Sequence, residues 1–221
     1  MAYLNWDTKI LPDLSFQTVR DAYNAGYVLT RVGRGIANKT RLFRINIPQY
    51  THSSENRRIL RKVENLELSV APLPYTTYDW SVGKLAKEFY DAHGADFSAN
   101  KVKELLTKPE ENNFNTLLVF KDKQSNKAVG YCIAYLDRDI LHYSYPFYES
   151  DPSNPSRGLG MMTLAIDFAI THGIGRVYLG SLQRPSDTYK LQFGASEWFD
   201  GEKWQTDTTP LREILKPATN N

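Results

Sequence analysis

The sequence predicts an α/β protein of the α+β kind: a mixed, mostly antiparallel sheet flanked by helices, with a small basic module at the N-terminus. TLLVFKD, KAVGYCIAYLD and ILHYSYPFY are alternating runs joined by short polar turns, the pattern of an antiparallel meander. NPSRGLGMMTLAIDFAITHGIGRVYLG passes from a Gly-containing turn through an apolar helix into a strand, a crossover that sets its strand parallel to the preceding one. Residues 31–62 carry nine basic side chains against one acid, Glu55, although the net charge of the whole chain is only +2. These features divide the chain into a basic module over 1–72 and a larger core over 73–221.

In chain order, DLSFQTVRDAYNAG reads as a short helix, capped by Ser15 and stopped at Gly26, with Phe16, Val19 and Tyr23 at helical spacing. YVLTRV and RLFRINI alternate as strands do, separated by the turn GRGIANKT. HSSENRRILRKVENL is a second helix whose Ile59, Leu60, Val63 and Leu66 form one apolar stripe. Arg57 with Arg61, and Arg58 with Lys62, stand at i,i+4 on its other side, so a doubled basic row faces solvent. LELSVAP is a further strand, and YDWSVGKLAKEFYDAHG and SANKVKELL are two amphipathic helices. The meander, the Gly-turn helix over 157–172 and the strand RVYLG follow. TYKLQFGASEWF and DGEKWQ come next, the second as a hairpin return through Asp200-Gly201, and the tail KPATNN is expected to be disordered.

The single cysteine, Cys132, excludes a disulfide framework and a Cys-rich metal site, and its strand setting reads as a buried thiol. No metal-ligand spacing and no Ser/His/Asp pattern occur, so neither a metal nor a covalent nucleophile is expected. His142 lies on the meander, placed to take a proton from an incoming amine; His52, His93 and His172 flank helices as caps or surface groups. No apolar run reaches the roughly 18 residues of a membrane span, and MAYLNWDTKILPDLSF has neither a basic nor an apolar leader region. A cytoplasmic protein without membrane contact is expected. The cluster of cations points to a polyanionic partner. The helix start at Arg157, Gly158 and Gly160 presents free N–H groups and a positive dipole end, a natural anion site for either a coenzyme or a nucleic acid.

Two helices, three antiparallel strands, a phosphate-type turn, a long helix and a parallel strand resemble the element order of the GNAT-like acyltransferase fold. In that fold the sheet splays where the last two long strands part, and the acyl donor lies in the gap. The glycines match its Gln/Arg-x-x-Gly-x-Gly/Ala turn, with Pro155 at the first position and Arg157 displaced by two. Within that superfamily several segments resemble the arginyl-tRNA–protein transferases and their bacterial leucyl-tRNA–protein relatives. HSSENRRILRK is similar to their basic helix at Ser54, Arg57, Arg58, Arg61 and Lys62. Tyr145-Pro146-Phe147-Tyr148 resembles their aromatic strand and Arg157-Gly158-Leu159-Gly160 their Ser-Leu-Gly turn. Tyr178-Leu179-Gly180 and Tyr189-Lys190-Leu191-Gln192-Phe193 resemble two later motifs, in the family's order. The similarity runs over about residues 14–204. The clustered cysteines usual in the family are replaced here by AYLNW and NKTR, so cluster-linked regulation is not expected.

The resemblance implies an enzyme that transfers an arginyl or leucyl group from charged tRNA to the α-amine of an acceptor protein's N-terminus, an N-degron tag. Aminoacyl-tRNA is the co-substrate and no cofactor is needed. Arg57, Arg58, Arg61, Lys62, Arg157, Gly158 and Gly160 would grip the tRNA. Arg41 and Arg44 alternate on one strand face and either extend that patch or stand as ordinary surface arginines. Tyr189 would protonate the leaving oxygen, its alternative being core packing on Phe193, and Lys190 would hold the oxyanion or the terminal phosphate. Tyr145, Phe147, Tyr148 and Tyr178 would wall the substrate pocket or stack on the terminal adenine. Two other readings stay open: an acyl-coenzyme A N-acyltransferase, and a non-catalytic RNA- or peptide-binding relative.

Overall fold

A computed structural model describes residues 4–216; the tail expected to be disordered lies, from residue 217, outside the described residues. Eleven strands and six helices are described: β1 (Asp7–Ile10), α1 (Phe16–Asn24), β2 (Tyr27–Leu29), β3 (Ile36–Lys39), β4 (Leu42–Asn46), α2 (Ser54–Lys62), β5 (Leu66–Pro72), α3 (Trp80–Ala92), α4 (Ala99–Thr107), β6 (Thr116–Asp122), β7 (Ala128–Leu136), β8 (Ile140–Tyr148), α5 (Arg157–Thr171), β9 (Arg176–Ser181), β10 (Ser196–Phe199), β11 (Trp204–Gln205) and α6 (Thr209–Ile214). A 3₁₀ segment, Pro185–Gln192, joins β9 to β10.

The main sheet has the order β11-β10-β4-β9-β8-β7-β6-β5, and a small sheet β1-β3-β2 packs beside it. All pairs in the main sheet are antiparallel except β8 with β9, the pair joined by the α5 crossover. Its two faces carry separate apolar layers. One holds Tyr23 of α1, Val82 and Ala86 of α3, and Val102 and Leu105 of α4; the other holds Met161, Ala165 and Ile166 of α5. Expected caps are in place: the Ser15 side chain accepts from the Thr18 amide, and Ser53 forms a capping box with Asn56.

Within residues 4–72, β4 is inserted between β9 and β10, and β5 forms the far edge of the same sheet. Two expectations of local structure are corrected. The turn GRGIANKT contains β3, and the N-terminal stretch contains β1. Both strands are short and half-polar, so their period-2 signal is faint. TYKLQ is 3₁₀ rather than strand, because Pro185 starts a helical turn and the Asp187 carboxylate accepts the amides of Gln183 and Arg184. The hairpin through Asp200-Gly201 is present as β10–β11, with Gly201 at a positive φ of 116°.

Candidate active site

Strands β8 and β9 pair at only three positions, the last being His142 opposite Tyr178, after which β9 runs on along β4 and β8 runs away from it. The sheet therefore splays just beyond His142. At the same point β8 carries a bulge: Tyr143 pairs with Ala134 and Tyr145 with Ile133, leaving Ser144 as the extra residue.

On the α3 side of this gap lies a cavity of about 600 Å³, lined by β2, the α3–α4 connection, β8, β9 and the 3₁₀ segment. His142, Ser144 and Tyr145 form its floor from β8, and Gly180, Ser181, Asp187 and Lys190 its opposite wall. The volume is that of an ordinary small-ligand site. His142 is buried and shares a 2.7 Å hydrogen bond from Nδ1 with the Tyr23 hydroxyl. Burial, with the Lys190 charge adding to it, pushes the imidazole down to about 3. It is therefore neutral at physiological pH, and the proposed role as acceptor of an amine proton is corrected: the ring is a polar neutral wall. Lys190 is buried as well, its Nζ donating to the Ser181 carbonyl at 2.9 Å and to Asp187 at 3.2 Å. Burial lowers its pKa and Asp187 opposes that shift. Arg31 adds a second cation at the wall, its guanidinium 4.2 Å from the Phe97 ring centre and hydrogen-bonded to the Asp96 carbonyl.

Tyr189, next to Lys190 in the 3₁₀ segment, is 44 % exposed. The low-polarity surroundings of its hydroxyl, and then Asp187, push its phenol upward, with Tyr148 adding to this, so it stays protonated and has a proton to donate. Tyr143 and Tyr148 belong to the α5-side layer, while Tyr145 and Phe147 belong to the α3 side. Of the four aromatics assigned to the pocket, only Tyr145 lines the cavity. Phe147 is fully buried and stacked on Tyr131, and Tyr178 is buried against Tyr23 with its hydroxyl accepting from Arg44 at 3.1 Å. Alternation sends both into the core. Tyr148 faces α5 and covers Gly158, where any Cβ would collide with the Tyr148 hydroxyl.

The basic row of α2 is exposed, and α2 packs on α5, with Val63 filling the space beside Gly160 and Asn154 donating to the Lys62 carbonyl at 3.2 Å. Arg58 is paired with Glu55 and Arg57 with the His52 carbonyl, whereas Arg61 and Lys62 form no ion pair among the described residues. Arg157 is a loop staple, bonded to the Glu149 carbonyl and to Asp151 at 2.6 Å, so its guanidinium is already engaged. The remaining cations of 31–62 do not join this face. Arg44 is 8 % exposed and locked to Glu197, Arg41 donates to the Leu182 carbonyl, and Arg34 to the carbonyls of Pro109 and Asn112. The expected extension of the patch through Arg41 and Arg44 is thus corrected: Arg44 sits on a strand central to the sheet and is buried, and the half-buried Arg41 is tied to the Leu182 carbonyl. Residues that sequence reasoning passed over include Arg31, Ser144, Ser181 and Asp187, none of which stands in a motif.

The meander β6–β8, the α5 crossover, the parallel β9 and the splay together define a GNAT-like α+β fold. No family model matches the chain, and no curated protein does. Among solved structures it is similar to the C-terminal domain of a putative lysylphosphatidylglycerol synthetase from Agrobacterium fabrum, with 10% identity, a TM-score of 0.47, and 75% of this chain and 51% of that one covered. It is similar to L-PGS from Bacillus licheniformis at 11% identity and a TM-score of 0.48, covering 74% and 49%. FemX follows at 8% identity and a TM-score of 0.44, covering 75% and 60%. The chain spans about half the length of the first two. Among the described residues no helix is long and apolar enough to cross a membrane.

Proposed function

We propose that the protein transfers an aminoacyl group from charged tRNA to an amine, the N-terminus of an acceptor protein, with the acceptor in the cavity and the donor's end on the α5 side. The observation that carries the acyl-transfer reading is the splay at His142, with a cavity on one face and protonated phenols on the other. An activated ester needs chiefly two substrates held in register across such a gap, a hydrogen bond to the developing oxyanion and a proton for the leaving oxygen. Tyr189 is the proton donor, and Lys190 holds positive charge at the cavity wall.

Two features favour tRNA over a coenzyme as carrier. The basic row of α2 adjoins the loop before α5 through the Lys62–Asn154 contact, which supports a reading in which Arg61 and Lys62 meet a longer polyanion. The Gly turn is itself filled: Tyr148 lies over Gly158 and Asp151 neutralises Arg157, which leaves poor room for a diphosphate.

The test is incubation with a mixed pool of charged tRNAs and peptides bearing acidic, basic or apolar first residues. Labelled amino acid on one peptide class is expected. In parallel, Arg61→Ala with Lys62→Ala should reduce the slope of log affinity against log salt by about 1.4 to 1.8 if both meet phosphates. Thermal protection by acetyl-CoA, with none by tRNA, would overturn the choice of carrier.

A further inference from the structure

Just past the last pair of β8 with β9 stands a polar group that the proposed function leaves unused. In a regular strand Tyr143 and Tyr145 would share a face. The extra residue Ser144 breaks the alternation, sending Tyr143 to the α5 side and Tyr145 to the α3 side. Tyr143 is also the first residue of β8 past its last pair with β9. Its side chain is 2 % exposed, and its hydroxyl has no hydrogen-bond partner. Leaving a buried hydroxyl unpaired is costly, and phenylalanine would fill the same space without that cost. The phenols of Tyr189, Tyr148 and Tyr90 and the Cys132 thiol are its electrostatic neighbours. Tyr189, which lies nearer solvent, makes no hydrogen bond through its hydroxyl among the described residues. A bulge, the parting of two strands and an orphan hydroxyl thus coincide at one point, electrostatically coupled to an exposed tyrosine whose ring carries the Lys190 ammonium 5.8 Å from its centre.

We propose that the Tyr143 hydroxyl is a catalytic hydrogen-bond donor that meets the carbonyl oxygen of an acyl group seated between β8 and β9 once Tyr189 turns aside. The proposal rests on the acyl-transfer reading above, and holds for either carrier. Tyr189, the more exposed, lies where the carrier leaves, and Tyr143, buried, lies where the acyl carbon sits. In the step, the acceptor nitrogen forms a bond to the carbonyl carbon and the carbonyl oxygen takes up negative charge, which the Tyr143 O–H stabilises. Collapse restores the carbonyl and breaks the bond to the carrier. The proton given up by the amine ends on the departing oxygen or sulfur, and no redox partner is involved.

The test compares wild type with Tyr143→Phe in transfer to the labelled peptides, with the charged-tRNA pool and with acetyl-CoA as donors, alongside urea unfolding of both proteins. Loss of one such donor is expected to lower kcat about 10²- to 10³-fold. KM for the acceptor peptide should stay unchanged, and the urea midpoint should be equal or higher. Full activity in Tyr143→Phe overturns the proposal and leaves the transferase reading standing. A lower urea midpoint means that the hydroxyl has a structural partner in the folded protein, which also overturns it. Wild type inactive with both donors removes the transferase reading and the proposal together.

Discussion

His142 shows how far one buried side chain departs from its sequence-level meaning. A strand histidine beside a pocket reads as a base, yet burial holds this ring at about 3, where it takes up no proton near neutrality. Its unfolded value is near ~6.5. Above that pH both states are neutral and the group adds no pH dependence. Between about 6.5 and 3 only the unfolded chain binds the proton, so stability falls as pH falls, by up to ~1.4 kcal/mol per pH unit. Replacing His142 with Gln should flatten that part of the profile, and parallel urea midpoints for the two proteins from pH 7 to 4 would refute the assignment. Lys190 is a second case. Its ammonium serves the Ser181 carbonyl and Asp187, so Lys190→Met is expected to cost about 1–3 kcal/mol. Adding Asp187→Asn should return part of that loss, which strict additivity in a double-mutant cycle would contradict.

Among the elements, the pairing of α2 with α5 is the contact that most nearly matches the motif reading while changing its meaning. Two glycines at a helix start read as an anion cradle, and the sequence does reveal that something approaches closely there. The approaching groups are protein: Tyr148 at Gly158 and Val63 at Gly160. A pattern of glycines reports missing Cβ atoms and not the identity of what fills the space. Gly160→Ala should therefore push α2 away from α5 and cost about 1–3 kcal/mol as overpacking. Val63→Ala in the same chain should recover much of it; a double variant as unstable as the sum of the singles would show that the two side chains do not compete for one space. The meander and the α5 crossover were legible because each run is long and strongly periodic. The bulge at Ser144 was not, since one additional residue in an aromatic strand leaves no mark on composition or period.

At the scale of the whole molecule, the count of cations between 31 and 62 was legible and its distribution was not. Charge along a chain becomes charge on a surface only after the topology is known. Here the insertion of β4 into the main sheet carries Arg44 into the interior, where its Nε donates to Glu197 at 2.5 Å and its guanidinium lies 3.6 Å from the Trp204 ring centre. Arg44→Met strands that carboxylate and should cost about 3–5 kcal/mol, as should Glu197→Gln by stranding the guanidinium; a loss well under ~1 kcal/mol for either would mean that water reaches the pair.

The place of β4 also bears on how the chain is made. Arg44 and Glu197 are 153 positions apart, and the strand between β9 and β10 is synthesised long before either neighbour. On the ribosome, β4 must wait unpaired while the meander assembles ahead of its sheet partners, a topology that favours slow, late closure. Nascent chains halted before Ser196 should leave β4 open to protease, and protection should appear only when the strand at Ser196–Phe199 has emerged.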